Sequence, residues 1–276
     1  MNRSACTRGT ASTSPSRRGR ALLAAALLVP GVVPAHDYWL QADQLVLAPG
    51  ERLTVHLNLG QALQAEEEKA YEAARVERFE LRIGRDDVRD LVPTTPEGAK
   101  PLFSDTIDQS QPFLMSLTRG VAQVELSAQE FDEYTAHEGI PFRAQRARER
   151  ERYWRFLKLL GRAGPETETD LHHRFTGAQF EIVLLQNPFT ARPGEEQIAQ
   201  LLFETKPLAG AAVAALHRAA DGTLTRLDGV TDTRGVVRFT LPVGGTWLIR
   251  AVHMRPCQGC KDVDWESFWA AYTFNL

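Results

Sequence analysis

The chain is poor in cysteine: Cys6, Cys257 and Cys260 are all that its 276 residues contain. A framework of many disulfides is thereby excluded, and a protein of this length must rest on a hydrophobic core. Long apolar runs are lacking too. The most apolar stretch, residues 21–33 (ALLAAALLVPGVV), is too short to span a bilayer, and nothing later inserts. An excess of positive charge is also missing. The formal charge of −3 argues against a nucleic-acid partner. The chain shows no Gly-rich phosphate loop, Ser-centred nucleophile elbow, zinc-protease helix motif or paired-carboxylate signature, so an enzyme is not expected.

The first residues have the parts of a secretory signal. Residues 1–20 carry five arginines (Arg3, Arg8, Arg17, Arg18, Arg20) and no acid, and the apolar stretch follows directly. Val33 and Ala35 are the small residues a signal peptidase reads, which places cleavage after Ala35 and export to the periplasm. Pro30 and Pro34 oppose an uncleaved helical anchor. Arg17-Arg18 raises the twin-arginine route, but Arg20 stands where a large apolar residue is usual, which favours ordinary secretion. Without those 35 residues and their five arginines, 241 residues remain with a formal charge of −8.

Cleavage there makes His36 the first residue, with its imidazole beside a free α-amine. As isolated groups, imidazole and α-amine have ordinary values of about 6.5 and about 7.7–8.0, so mildly alkaline surroundings favour neutral donors of these types. The neutral amine and Nδ1 of one residue close a small chelate ring on a metal ion. Nitrogen donors of this kind favour Ni²⁺ and Cu²⁺ among the divalent first-row ions. A third donor must come from elsewhere, with His253, His56 and His137 as candidates, and Asp37 is available to hold a ligand in place.

The periodicity predicts a mainly β protein in two parts. Residues 36–161 form an N-terminal β-sandwich-like domain, residues 162–178 (polar, with Gly and Pro) a linker, and residues 179–276 an immunoglobulin-like β-sandwich. In the first part, Leu53, Val55, Leu57 and Leu59 alternate with polar residues, and Phe79, Leu81 and Ile83 do the same. Residues 64–75 read as a polar, helix-prone or flexible insert, and residues 113–126 as two short strands parted at Arg119-Gly120. Ser127 and Glu130 have capping-box spacing before a short helix ended by Gly139, with His137 in its last turn. Residues 142–160 (FRAQRARERERYWRFLKLL) read as a basic amphipathic helix. His172-His173 is adjacent, so in an extended chain the rings point apart.

In the exported chain Cys257-Gln258-Gly259-Cys260 is a close pair. A local disulfide is favoured, with metal or thiol chemistry and free thiols as the other readings. No strand-then-helix pattern of thioredoxin type surrounds it.

Several segments carry a family resemblance in their order: Ala35-His36-Asp37-Tyr38-Trp39-Leu40, Pro49-Gly50-Glu51, Tyr134 with Glu138-Gly139, Glu151-Arg152-Tyr153 with Lys158, Asn187-Pro188, Pro207-Leu208-Ala209-Gly210, Thr231-Asp232 with Gly235, and Val252-His253-Met254 ahead of Asp264-Trp265-Glu266-Ser267. Together they resemble the periplasmic NikM-like/NikK-like nickel-uptake domain family. The resemblance implies an exported, mainly β, non-enzymatic accessory that presents Ni²⁺, or Co²⁺ or Cu²⁺, to a metal importer or an outer-membrane receptor component. It also implies His36 as principal ligand and His253 as its companion, and Cys257-Cys260 departs from the family pattern. Two rivals come from other classes: a metal-free extracytoplasmic interaction module, and a copper histidine-brace enzyme with peroxide-dependent turnover.

Overall fold

The structure is a computed structural model that describes residues 36–276. The expected signal segment and its expected cleavage point therefore lie outside the described residues. Along the first half run β1 (Asp37–Ala42), β2 (Val46–Leu47), β3 (Arg52–Gln61), β4 (Gln64–Glu68), β5 (Val76–Ile83), β6 (Asp87–Asp90), β7 (Phe103–Thr106) and the long β8 (Pro112–Ser127). The helix α1 (Ala128–His137) and the long strand β9 (Arg148–Ala163) follow. The second half holds β10 (Phe180–Leu184), β11 (Glu196–Phe203), β12 (Lys206–Pro207), β13 (Ala212–Arg218), β14 (Leu224–Val230), β15 (Val236–Thr240), β16 (Thr246–Pro256) and β17 (Trp265–Asn275).

These strands make three layers. The middle one is a nine-stranded sheet in the order β14-β13-β16-β17-β9-β8-β5-β6, with β2 alongside β9. A four-stranded sheet of β1, β3, β4 and β7 covers one face, and another of β10, β11, β12 and β15 covers the other. Residues alternate across the middle sheet, as the pleat requires. Leu157 and Leu159 of β9, with Ala214 and Leu216 of β13, join Trp39, Leu53, Val55 and Leu57 in one core. Phe156 and Leu160, with Val213, Ala215, Trp247, Ile249 and Tyr272, join Phe180, Ile182, Leu201 and Phe239 in the other. The mainly β class is as expected, and the second core lies between two facing sheets as in a β-sandwich. Among the described residues, helix α1 forms where the capping box predicts it. Ser127 accepts from the Glu130 backbone N–H, Glu130 closes the capping box, and Gly139 beyond the last turn has φ +66°.

Four expectations need correction. Residues 142–160 are not a helix, because β9 begins at Arg148 and pairs with β8 on one side and in parallel with β17 on the other. The Arg-Glu alternation has period two: Glu149 and Glu151 are buried while Arg148 and Arg150 are not. From Phe156 to Leu160 every residue is buried, as in a central strand covered on both faces. Second, the two halves are not separate domains, because the β9–β17 pairing runs one sheet through both, and the described residues lie in one compact unit. Residues 162–178 are correspondingly no free linker, since Leu171 is buried in the second core. Third, residues 64–75 contain β4, hydrogen-bonded to β3, and a 3₁₀ turn at Ala73–Arg75. Finally, residues 113–126 form one strand whose register with β9 shifts between Arg119 and Ala122, a bulge in place of the expected turn.

Candidate functional site at the start of the first strand

Strand β1 is fixed from both sides. Trp39 and Leu40 are fully buried, and Asp37 to Ala42 pair with Gly60 to Val55 of β3. Asp37 also receives Arg250 Nε from the middle sheet at 2.5 Å, while Arg250 Nη2 reaches Glu138 at the end of α1 at 2.7 Å. Burial raises the pKa of Asp37, and the Arg250 charge offsets this only in part. The expected role of Asp37 in holding a ligand thus gives way to an ion pair that clamps β1 to β16 and α1.

His36 stands one residue before this clamp and is half-buried at the edge of the small sheet. Its Nε2 lies 2.9 Å from Glu66 of β4. The antiparallel β3–β4 register sets Glu68 opposite Asn58 and Glu67 opposite Leu59, so these two face opposite sides, and Glu66 sits at the irregularity between Leu59 and Gly60. Glu68 consequently meets His56 at 2.8 Å, and Glu67 pairs with Lys69 at 2.8 Å. A side chain that the sequence suggests is a solvated glutamate is in fact the partner of the candidate ligand.

The other candidate ligands lie elsewhere. Both ring nitrogens of His56 are engaged, Nδ1 by Glu68 and Nε2 by Asp43 at 3.0 Å. Burial opposes its protonation, but the two carboxylates outweigh burial and raise its pKa, which favours an ion-paired imidazolium over a free lone-pair donor. His137 is exposed at the end of α1, on the rim of a cavity of about 390 Å³ lined also by Arg226, Asp228 and Arg250. His253 has the phase of Ile249 and Ala251 on β16, so it faces the second core, whereas Arg250 points to β1. Its ring packs 4.4 Å from that of Phe203, and burial together with Arg255 lowers its pKa. His253 and the clamp beside His36 therefore lie on opposite faces of the middle sheet. Among the described residues, no three His, Cys, Asp or Glu side chains form a cluster able to hold a metal ion.

Cys257 and Cys260 are joined in a disulfide, which takes the thiolate-ligand reading off this pair. His172 and His173 also differ from expectation. They sit in a 3₁₀ turn rather than an extended segment, and their ring nitrogens come within 3.2 Å of each other. Burial, reinforced by the His173 charge, lowers the pKa of His172 to about 4 and keeps it neutral.

A second cluster was not anticipated as a site. Where β9 and β17 run in parallel, Glu149 accepts from Trp265 Nε1 at 2.8 Å, and Glu151 accepts from the hydroxyls of Ser267 and Tyr134. Glu151 is 2% exposed, and burial raises its pKa to about 7 against the pull of those two hydrogen bonds. The signal in the sequence is the Glu-Arg-Glu-Arg alternation of β9, which pairs with Trp265, Glu266 and Ser267 of β17 and which a helix over residues 142–160 would not display.

No curated protein sequence matches the chain significantly. A solved structure described as the D0-D1 domain of Intimin is similar at 11% identity over 85% of this chain and 96% of that one. Its TM-score of 0.21 is too low to relate the two folds. The family model described as a domain of unknown function, DUF4198, matches residues 33–255. That match takes in β1 with His36, α1, the parallel β9 and nearly all of β16, and the chain belongs to the DUF4198 family.

Proposed function

We propose that the exported chain is a periplasmic, non-enzymatic carrier of a transition-metal ion, Ni²⁺ or its neighbours Co²⁺ and Cu²⁺, captured at His36 for a metal uptake system. The observation that carries this reading is the 2.9 Å contact between His36 Nε2 and Glu66. A ligating histidine commonly donates its second ring N–H to a carboxylate, which fixes the tautomer, orients the ring and raises the basicity of the other nitrogen. With Nε2–H donated to Glu66, the lone pair rests on Nδ1, the nitrogen that closes a ring with the α-amine after cleavage at Ala35. The clamp at Asp37 holds the adjacent backbone, so the chelate forms without ordering a loop.

Two nitrogens leave the remaining coordination positions to water or to a partner. That suits an ion in transit better than a closed structural site. The periplasmic address and the importer or outer-membrane partner rest on the signal-like N-terminus and on the NikM-like/NikK-like resemblance. Calorimetric titration of the exported chain with Ni²⁺ tests the reading. His36→Ala abolishes the site, and Glu66→Gln weakens it by about 10–100-fold, the usual effect of losing a carboxylate behind a ligating histidine. Equal affinity in wild type and His36→Ala removes His36 as a ligand.

A further inference from the structure

A cleft of about 140 Å³ opens between α1, the end of β8, β9 and β17, away from His36. Its walls include Tyr134, Tyr153 and Trp269, and two further lining residues, Glu151 and Arg155, each carry a buried polar atom, of opposite kind, without a partner among the described residues. One is Glu151 Oε2. The Glu151 side chain is 2% exposed, and only its Oε1 is engaged, by Tyr134 and by Ser267. Ser267 in turn accepts from Trp269 Nε1 at 3.0 Å, which directs its hydroxyl hydrogen to Glu151. The other atom is Nε of Arg155. Its guanidinium is stacked 3.9 Å from the Tyr38 ring centroid and 4.5 Å from that of Tyr153, which fixes its plane and leaves its N–H edge unused.

Buried donors and acceptors are normally satisfied, and an acceptor and a donor left open in one aromatic-walled cleft define what completes it. An isolated cation suits Glu151 and the ring faces but is repelled by Arg155. An isolated carboxylate suits Arg155 and leaves the Glu151 acceptor without a donor. A ligand carrying both charges a few atoms apart satisfies each. The volume admits an amino acid with a small side chain and excludes a nucleotide or an oligosaccharide.

We propose that this cleft binds a small zwitterion of amino-acid type, its ammonium on Glu151 Oε2 within the aromatic walls and its carboxylate on the Arg155 guanidinium. The inference is independent of the metal reading.

The test uses the full exported chain, dialysed against chelator, with L-alanine as probe, followed by calorimetry and by the fluorescence of the wall tryptophan. The expected result is saturable one-to-one binding, with propylamine and propionate, each carrying one of the two charges, at least tenfold weaker. Glu151→Gln and Arg155→Lys each lose at least tenfold, and Glu66→Gln at the other site binds alanine unchanged. Absence of saturable binding, or propylamine or propionate binding as well as alanine does, overturns the proposal even if a variant fails to fold. Alanine binding retained in both folded cleft variants overturns it equally.

Discussion

Glu151 is a carboxyl group placed where its charged form is disfavoured. Burial raises its pKa from 4.5 in the unfolded chain to about 7 in the fold, so between those values the native state holds the extra proton. Stability from this group is complete below the unfolded value and declines as pH rises through the folded one. Replacing Glu151 by Gln keeps the shape and removes the titration. Urea midpoints taken from pH 5 to 8 are expected to show the variant gaining on wild type as pH rises, by about 3 kcal/mol at most. A constant difference across that range contradicts this account of Glu151. At this scale the sequence singles out His36 as a candidate but not its contact with Glu66. Glu66, Glu67 and Glu68 have strong helix propensity and no apolar neighbours to betray a strand, so only the pairing of β4 with β3 brings Glu68 to His56 and Glu66 to His36.

At the scale of elements, β1 and α1 depend on one arginine. Arg250 is 5% exposed and pairs with two carboxylates, Asp37 and Glu138, that are themselves buried. Removing it leaves both acids without a counter-charge. Arg250→Met is therefore expected to cost about 3–5 kcal/mol in equilibrium unfolding, and a cost below about 1 kcal/mol contradicts the clamp. The strands with one covered face, such as β3 and β5, were legible from alternation, and the capping box marked α1. Strand β9 was not, because its second half is covered on both faces and carries no alternation of polarity, while its first half buries glutamates in place of apolar residues. A run of arginine and glutamate says helix by propensity and strand by period. Here tertiary pairing with Trp265 and Ser267 decides for the strand.

At the scale of the whole molecule, the mainly β class and the sandwich built on the second half follow from many short alternating segments. The division into two domains does not survive, because β17 returns to lie beside β9 and joins the halves through a parallel pairing that no local pattern encodes. The three layers leave the first strand's beginning at an edge, with the His36 ring held by a carboxylate and the adjacent residue fixed by Arg250. The central proposal is that this arrangement makes a processed N-terminus a rigid two-nitrogen donor. The most direct measurement is Ni²⁺ affinity of the chain beginning at His36, with its α-amine free and with it acetylated. Acetylation removes one donor nitrogen and leaves the imidazole and every contact of the folded strands intact. The account predicts at least a tenfold loss of affinity with an unchanged melting temperature of the metal-free protein, and equal affinity in the two forms would contradict it.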